Sequence, residues 1–155
     1  MSIQAGDSLP DLNLPANGGR TISLKKEYAG NKLVVYFYPK DNTPGCTLEG
    51  QDFARLYAEF KKAGADVVGI SKDSVKSHDN FCAKFGFPFA LISDAEEKAC
   101  DAFGAIVEKS LYGRKYMGID RCTFLFDAKG KLVQQWRKVK TKGHADAVLE
   151  AVKAL

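Results

Sequence analysis

Four cysteines are the residues best equipped for chemistry in this chain, and one of them, Cys46, stands apart from Cys82, Cys100 and Cys122 by its setting. It follows the loop Pro39-Lys40-Asp41-Asn42-Thr43-Pro44-Gly45, where an unbroken apolar run ends and a helical pattern begins. The reactive form of cysteine is the thiolate, and a free thiol of pKa ~8.5 is only about 3% ionised at pH 7. A helix start favours the anion through its unpaired N–H groups and the positive end of its dipole. That effect reaches at most ~2 kcal/mol at a partly buried site, so strong activation needs a further donor or cation. Two are available. The Thr43 hydroxyl lies in the same loop, and Arg121 precedes a later strand whose end meets this loop if the two strands are neighbours. Arginine stays charged and presents five donors, which suits it to holding a thiolate and polarising a bond under attack. Pro39 and Pro44 stiffen the loop and remove two backbone donors near the sulfur.

The other cysteines carry weaker signals. The spacings of 36, 18 and 22 residues contain no C-x-x-C pair, and His78 and His144 do not complete a zinc pattern, so the sequence predicts neither a metal nor a bound cofactor. A static disulfide framework fits poorly with a chain of this length in a reducing compartment. Periodicity places Cys82 with His78 and Phe85 on one helix face and predicts a core position for it. Cys100 and Cys122 read as core packing.

The elements that must position Cys46 follow from the pattern around it. Leu33 to Tyr38 reads as a central strand buried on both faces, and Phe53, Leu56 and Phe60 recur at helical spacing, predicting a helix over 45–62 with Glu49, Asp52, Arg55 and Glu59 facing water. Asp66 to Ile70 is a second buried strand, and Asp73 or Ser74 caps a helix reaching Phe85. That alternation implies parallel pairing. Residues 5–25 suggest a hairpin or irregular lead-in, 87–92 a short extended segment, and Ser93-x-x-Glu96 a capping box for a helix through Phe103. Cys122 to Phe126 and Leu132 to Trp136 form a hairpin around Asp127-Ala128-Lys129-Gly130, and a last helix presents Val148, Leu149 and Val152. The expected fold class is α/β, a thioredoxin-like arrangement with a central mixed sheet flanked by helices and an N-terminal hairpin extension.

Composition bounds the rest. The 155 residues are 45% hydrophobic and 27% charged, enough for one core, and they are expected to form one domain over 1–155. No apolar run approaches the ~18 to 20 residues of a membrane span, and the N-terminus lacks a signal-peptide pattern, so a cytoplasmic protein without membrane contact is expected. Net charge is +4, but residues 109–142 hold ten Lys and Arg against two acids. Such a stretch suits phosphates or an acidic partner, although no aromatic-interleaved nucleic-acid pattern accompanies it.

The segment Tyr36-Phe37-Tyr38-Pro39-Lys40-Asp41-Asn42-Thr43-Pro44-Gly45-Cys46-Thr47 resembles the P-x-x-x-T-x-x-C signature of the peroxiredoxins, in the form used by the bacterioferritin-comigratory or Q-type subfamily. The similarity extends to Gly6–Leu12, Gly69–Asp73, Phe85–Phe89, Leu91–Asp94 and Gly118–Phe124. It implies a thiol peroxidase of hydrogen peroxide and organic hydroperoxides, with Cys46 as peroxidatic nucleophile. Thr43 and Arg121 would orient and polarise the peroxide, Pro39 would shield its pocket, and Gly45 would lie against it. Attack by the thiolate leaves a sulfenic acid on Cys46, which a second thiol must resolve. Many Q-type members place that thiol five positions on, where this chain has Gln51; the other version uses the following helix, where Cys82 stands. The resemblance therefore assigns resolution to Cys82, through local unwinding of both helices, and implies thioredoxin as reductant and a monomer.

Two other readings compete. A general disulfide oxidoreductase needs a second cysteine at the helix start, which Thr47 to Gln51 does not supply. A redox-sensing or nucleic-acid-binding module would use the basic 109–142 region.

Overall fold

The computed structural model describes residues 3–155. Strands β1 (Asn13–Ala16) and β2 (Arg20–Ser23) form an antiparallel hairpin around a single 3-10 turn, followed by the short helix α1 (Leu24–Glu27). The chain then alternates through β3 (Lys32–Phe37), α2 (Pro44–Lys62), β4 (Ala65–Ser71), α3 (Val75–Phe85), β5 (Ala90–Ser93) and α4 (Lys98–Phe103). It ends in β6 (Ile106–Leu111), β7 (Arg114–Ile119), β8 (Cys122–Phe126), β9 (Leu132–Trp136) and α5 (His144–Lys153). Seven strands make one sheet in the order β2-β1-β5-β4-β3-β8-β9. The pairs β3–β4 and β4–β5 are parallel, and β8 runs antiparallel to β3, so the sheet is mixed as expected.

Alternation along β3 builds two cores. Leu33, Val35 and Phe37 point into one layer with Phe103, Phe124, Cys100 and Cys122. Val34, Tyr36 and Tyr38 point into the other, with Phe53, Phe60, Phe81, Val148 and Cys46, and Cys82 packs against its margin. A strand covered on both faces has no need of polar alternation, which is why LVVYFY reads as unbroken hydrophobicity. The register Phe37↔Cys122 and Tyr36↔Thr123 brings the end of β3 beside the start of β8. Residue 121 is thereby carried to the loop that follows β3.

Three local expectations are corrected. Residues 106–119 form a hairpin of their own, the two-stranded sheet β6–β7, which the sequence reading left unassigned. The proposed capping box is not used: the Ser93 hydroxyl donates to the Asp73 carbonyl at 2.6 Å, and α4 starts at Lys98. Asp94 supplies the missing acceptor, taking the amides of Ala99 and Cys100 at 3.0 and 2.8 Å. On α3 the buried residues are His78 and Phe81, while Cys82 is only half-buried, so the core stripe runs one residue away from where periodicity with Cys82 would centre it. Among the described residues, no helix is long and apolar enough to cross a membrane.

Candidate active site

Helix α2 begins at Pro44, where a fixed φ and a missing N–H cost nothing, and the Thr47 amide closes the first turn on the Thr43 carbonyl at 2.8 Å. Thr43 is the N-cap but makes no side-chain cap. Its hydroxyl instead donates to the Lys40 carbonyl at 2.9 Å, so it does not give its proton to the sulfur, as the sequence reading allowed, and keeps its lone pairs available. Cys46, in that first turn, is 2% exposed. Pro39 and Pro44 are both solvent-exposed.

Arg121 reaches the sulfur across 75 positions of sequence. Its Nη2 donates to Cys46 Sγ at 3.1 Å and its Nη1 to Glu49 Oε1 at 2.7 Å. A side chain at Gly45 would intrude here, because a Cβ would lie 3.3 Å from Nη2. Gly45 thus lets the guanidinium lie against the helix start. The Val139 amide holds the Arg121 carbonyl at 2.9 Å. One planar fork, a helix N-terminus and a thiol converge, an arrangement that stabilises negative charge on sulfur and on any oxygen placed beside it.

Glu49 is the site residue that the sequence reading missed. Its charge assigned it to water, although it stands four residues before Phe53 and seven before Leu56, on the buried face; it is 1% exposed and its Oε2 has no hydrogen-bond partner. Burial pushes its carboxyl up to about 7, against the pull of the Arg121 charge and hydrogen bond. Its position three residues after Cys46 was the available signal, since i and i+3 share a helix face. Behind Arg121, His144 contacts the Thr123 hydroxyl through Nε2 at 2.8 Å. Burial, with the Arg121 charge, lowers its pKa to about 4, so it adds no second cation at neutral pH.

Cys46, Cys82, Cys100 and Cys122 are all free thiols. The sheet divides them: Cys46 and Cys82 belong to one layer, Cys100 and Cys122 to the other. Burial raises the Cys82 thiol to about 11, helped by Asp41 and Asp79, and raises Cys122 to about 12. Cys100 is raised as well, by burial and by its hydrogen bond to Asp94. Between α2 and α3 lies an aromatic wedge in which Phe87 meets Phe81 at 4.9 Å and stacks on Phe85 at 5.9 Å.

Four of the ten basic residues of the 109–142 stretch have separate partners. Arg121 faces Cys46, Arg137 donates to the Gly104 carbonyl at 2.7 Å, Lys131 bonds Ser8, and Lys115 pairs with Glu108 on the β6–β7 hairpin. Asp41, Asp73 and His78 lie close enough to share a metal ion, with ligand atoms within 4.8 Å of one another. Their polar atoms are already engaged in hydrogen bonds to one another and to Tyr38, Ser71 and Ser77.

Comparison with known proteins agrees with this geometry. The AhpC/TSA family model matches residues 5–135. Peroxiredoxin Bcp of Xanthomonas campestris is 59% identical over 144 residues, covering 93% of this chain and 89% of that protein. Peroxiredoxin Bcp of Bacillus subtilis is 43% identical over 153 residues, covering 99% and 97%. A solved structure of the Xanthomonas bacterioferritin comigratory protein, from work on its alkyl peroxide reduction, superposes with a TM-score of 0.91 at 55% identity, covering 97% of this chain and 98% of that one. Xanthomonas campestris peroxiredoxin Q, 56% identical with a TM-score of 0.91, has been solved with serine in place of either of two cysteines. On its thioredoxin-like fold, with a free cysteine and an arginine at the head of α2, the chain belongs to the AhpC/TSA family as a Bcp/PrxQ peroxiredoxin, an oxidoreductase that acts as a peroxidase.

Proposed function

We propose that this protein reduces hydrogen peroxide and organic hydroperoxides through Cys46, with Cys82 as the resolving thiol and thioredoxin as the electron donor, in the cytoplasm and as a monomer. The observation that carries the reading is the 3.1 Å contact from Arg121 Nη2 to a buried Cys46 Sγ at the start of α2. The Cys46 thiolate attacks one peroxide oxygen, the oxygen–oxygen bond breaks, and water or an alcohol leaves as Cys46 becomes a sulfenic acid. Arg121 supplies donors to both the sulfur and the oxygen under attack. Thr43, its hydroxyl proton given to Lys40, accepts the hydroperoxide hydrogen and so fixes which oxygen faces the sulfur. Gly45 leaves room for this arrangement, and Pro39 keeps the loop from collapsing over it.

The Cys82 thiol then displaces the sulfenic oxygen as water, forming the Cys46–Cys82 bond, and a dithiol reductant reopens it. Cys82 is favoured because it alone shares the Cys46 layer of the sheet. The two substituted cysteines of the Xanthomonas protein are spaced as Cys46 and Cys82 are here. A disulfide needs Cα atoms within about 4.4 to 6.8 Å, so two packed helices must open locally. Peroxide consumption coupled to thioredoxin tests this. Cys46→Ser should lose all turnover, and Cys82→Ser should complete one oxidation without forming an intramolecular disulfide. Turnover surviving in Cys46→Ser would defeat the reading.

A further inference from the structure

The loop bearing Cys46 and the helix bearing Cys82 are joined by a buried polar contact that neither reactive residue makes. Asp41, five residues before Cys46, is 6% exposed; His78, one helical turn before Cys82, is fully buried. His78 Nδ1 lies 2.7 Å from Asp41 Oδ2, and His78 Nε2 lies 2.9 Å from the Ile92 carbonyl. His78 thus bridges the Cys46 loop and the end of β5. Asp41 also accepts from the Ser77 hydroxyl at 2.7 Å and the Tyr38 hydroxyl at 2.6 Å, and its amide donates to Asp73 at 2.9 Å. One carboxylate therefore ties the end of β3, the Cys46 loop and the first turn of α3 together.

We propose that the Asp41–His78 contact is a latch that keeps α3 wound, and that its opening sets how long the Cys46 sulfenic acid waits for Cys82. This rests on the reading of Cys82 as the resolving thiol. A second consideration agrees with it. Burial and the nearby Asp41 carboxylate suppress the Cys82 thiolate, so the same opening that brings the sulfur within reach also frees it to ionise. In the resolving step the Cys82 sulfur attacks the Cys46 sulfur, the S–O bond breaks, and hydroxide leaves with the Cys82 proton as water. While the latch is closed, a second hydroperoxide competes for the sulfenic acid and carries it to sulfinic acid. His78 and Ser77 are thus positioning residues that act through the helix.

His78→Gln tests the latch, because its amide can replace the bond to Ile92 but not the one to Asp41. Ser77→Ala removes a single arm and is the milder variant should His78→Gln fold poorly. Asp66→Asn breaks a comparable network at the far end of β4, with Tyr57 and Lys61, and serves as the control. Losing one hydrogen bond to a charged group should speed amide exchange across 79–85 by about tenfold in His78→Gln and by a few-fold in Ser77→Ala. Disulfide formation should accelerate by the same factors, sulfinic acid formation per turnover should fall correspondingly, and the first oxidation of Cys46 should stay within about twofold. Exchange on α3 no faster than in Asp66→Asn would overturn the latch, as would a disulfide step that does not follow the exchange. A parent enzyme that forms no Cys46–Cys82 bond would instead remove the resolving role on which the proposal rests, and exchange alone would then decide whether the contact holds α3.

Discussion

Arg121 Nη2 lies 3.1 Å from Cys46 Sγ although 75 positions separate the two residues. The contact exists because β3 and β8 are antiparallel neighbours in register, so the residue before β8 and the helix after β3 share one edge of the sheet. The same guanidinium spans Cys46 and Glu49 on one face of α2, and that geometry needs a planar fork. Lysine would deliver its charge as a single point and could not serve both groups. Arg121→Lys should slow oxidation of Cys46 by peroxide by about a hundredfold, the scale of losing one preorganised donor. Stopped-flow oxidation of the variant checks this, and a rate within threefold of the parent would refute it.

Glu49 makes stability depend on pH in a particular direction. Its carboxyl is raised from an ordinary value of 4.5 to about 7, mainly by burial. Between those values the folded state binds the extra proton, so stability falls as pH rises. The contribution is fully present below about 4.5 and is lost as pH rises through about 7. Glu49→Gln removes the titration while keeping a polar side chain for Arg121. Its stability relative to the parent should therefore increase steadily from pH 5 to pH 8, measured by urea unfolding. Parallel curves for the two proteins across that range would exclude the argument.

Gly50 lets the loop after α3 approach α2. A Cβ there would lie 2.6 Å from Phe87 Cζ, and Phe87 is confined by stacking on Phe85 and Phe89. Gly50→Ala gains helix propensity but must displace that ring, and overpacking costs ~1 to 3 kcal/mol. A net loss of stability is expected in thermal unfolding, with Gly50→Ala combined with Phe87→Leu recovering part of it. An unchanged Tm in the single variant would mean that the wedge yields freely.

Which parts of this arrangement could be read from the sequence depends on the range of the forces involved. The buried strand β3, the helix start at Cys46 and the Ser74 cap, whose hydroxyl accepts from the Ser77 amide at 3.1 Å, are local patterns and were legible. The nearness of Arg121 was legible only on condition that its strand neighbours β3, and the register of β3 with β8 meets that condition. Glu49 was assigned to solvent because its charge outweighed its phase, and the guanidinium that makes burial of that charge tolerable lies 72 positions away. The β6–β7 hairpin escaped notice because its turn, Tyr112-Gly113, puts a tyrosine at φ 52, where turn rules look for glycine, asparagine or aspartate. The Asp41–His78 contact joins two segments 37 positions apart and leaves no periodicity at all.

The pH dependence of the resolving step separates attack by a wound α3 from attack after opening. In the wound helix the Cys82 thiol is raised from 9.0 to about 11, chiefly by burial, so its thiolate share at neutral pH is suppressed by about a hundredfold relative to an exposed cysteine. Attack from that state would gain about tenfold per pH unit and keep rising to pH 10. If α3 opens first, the sulfur titrates as an exposed thiol near ~8.5, and the rate should level off around pH 9. Opening also removes Asp41 and Asp79, the two carboxylates that oppose ionisation, from the neighbourhood of the sulfur. Because the latch and the burial of Cys82 both oppose attack from the wound helix, the levelling profile is the expected one. Rapid-quench measurement of Cys46–Cys82 bond formation from pH 6 to pH 10 distinguishes the two, and an uninterrupted rise would show that the wound helix itself delivers the thiolate.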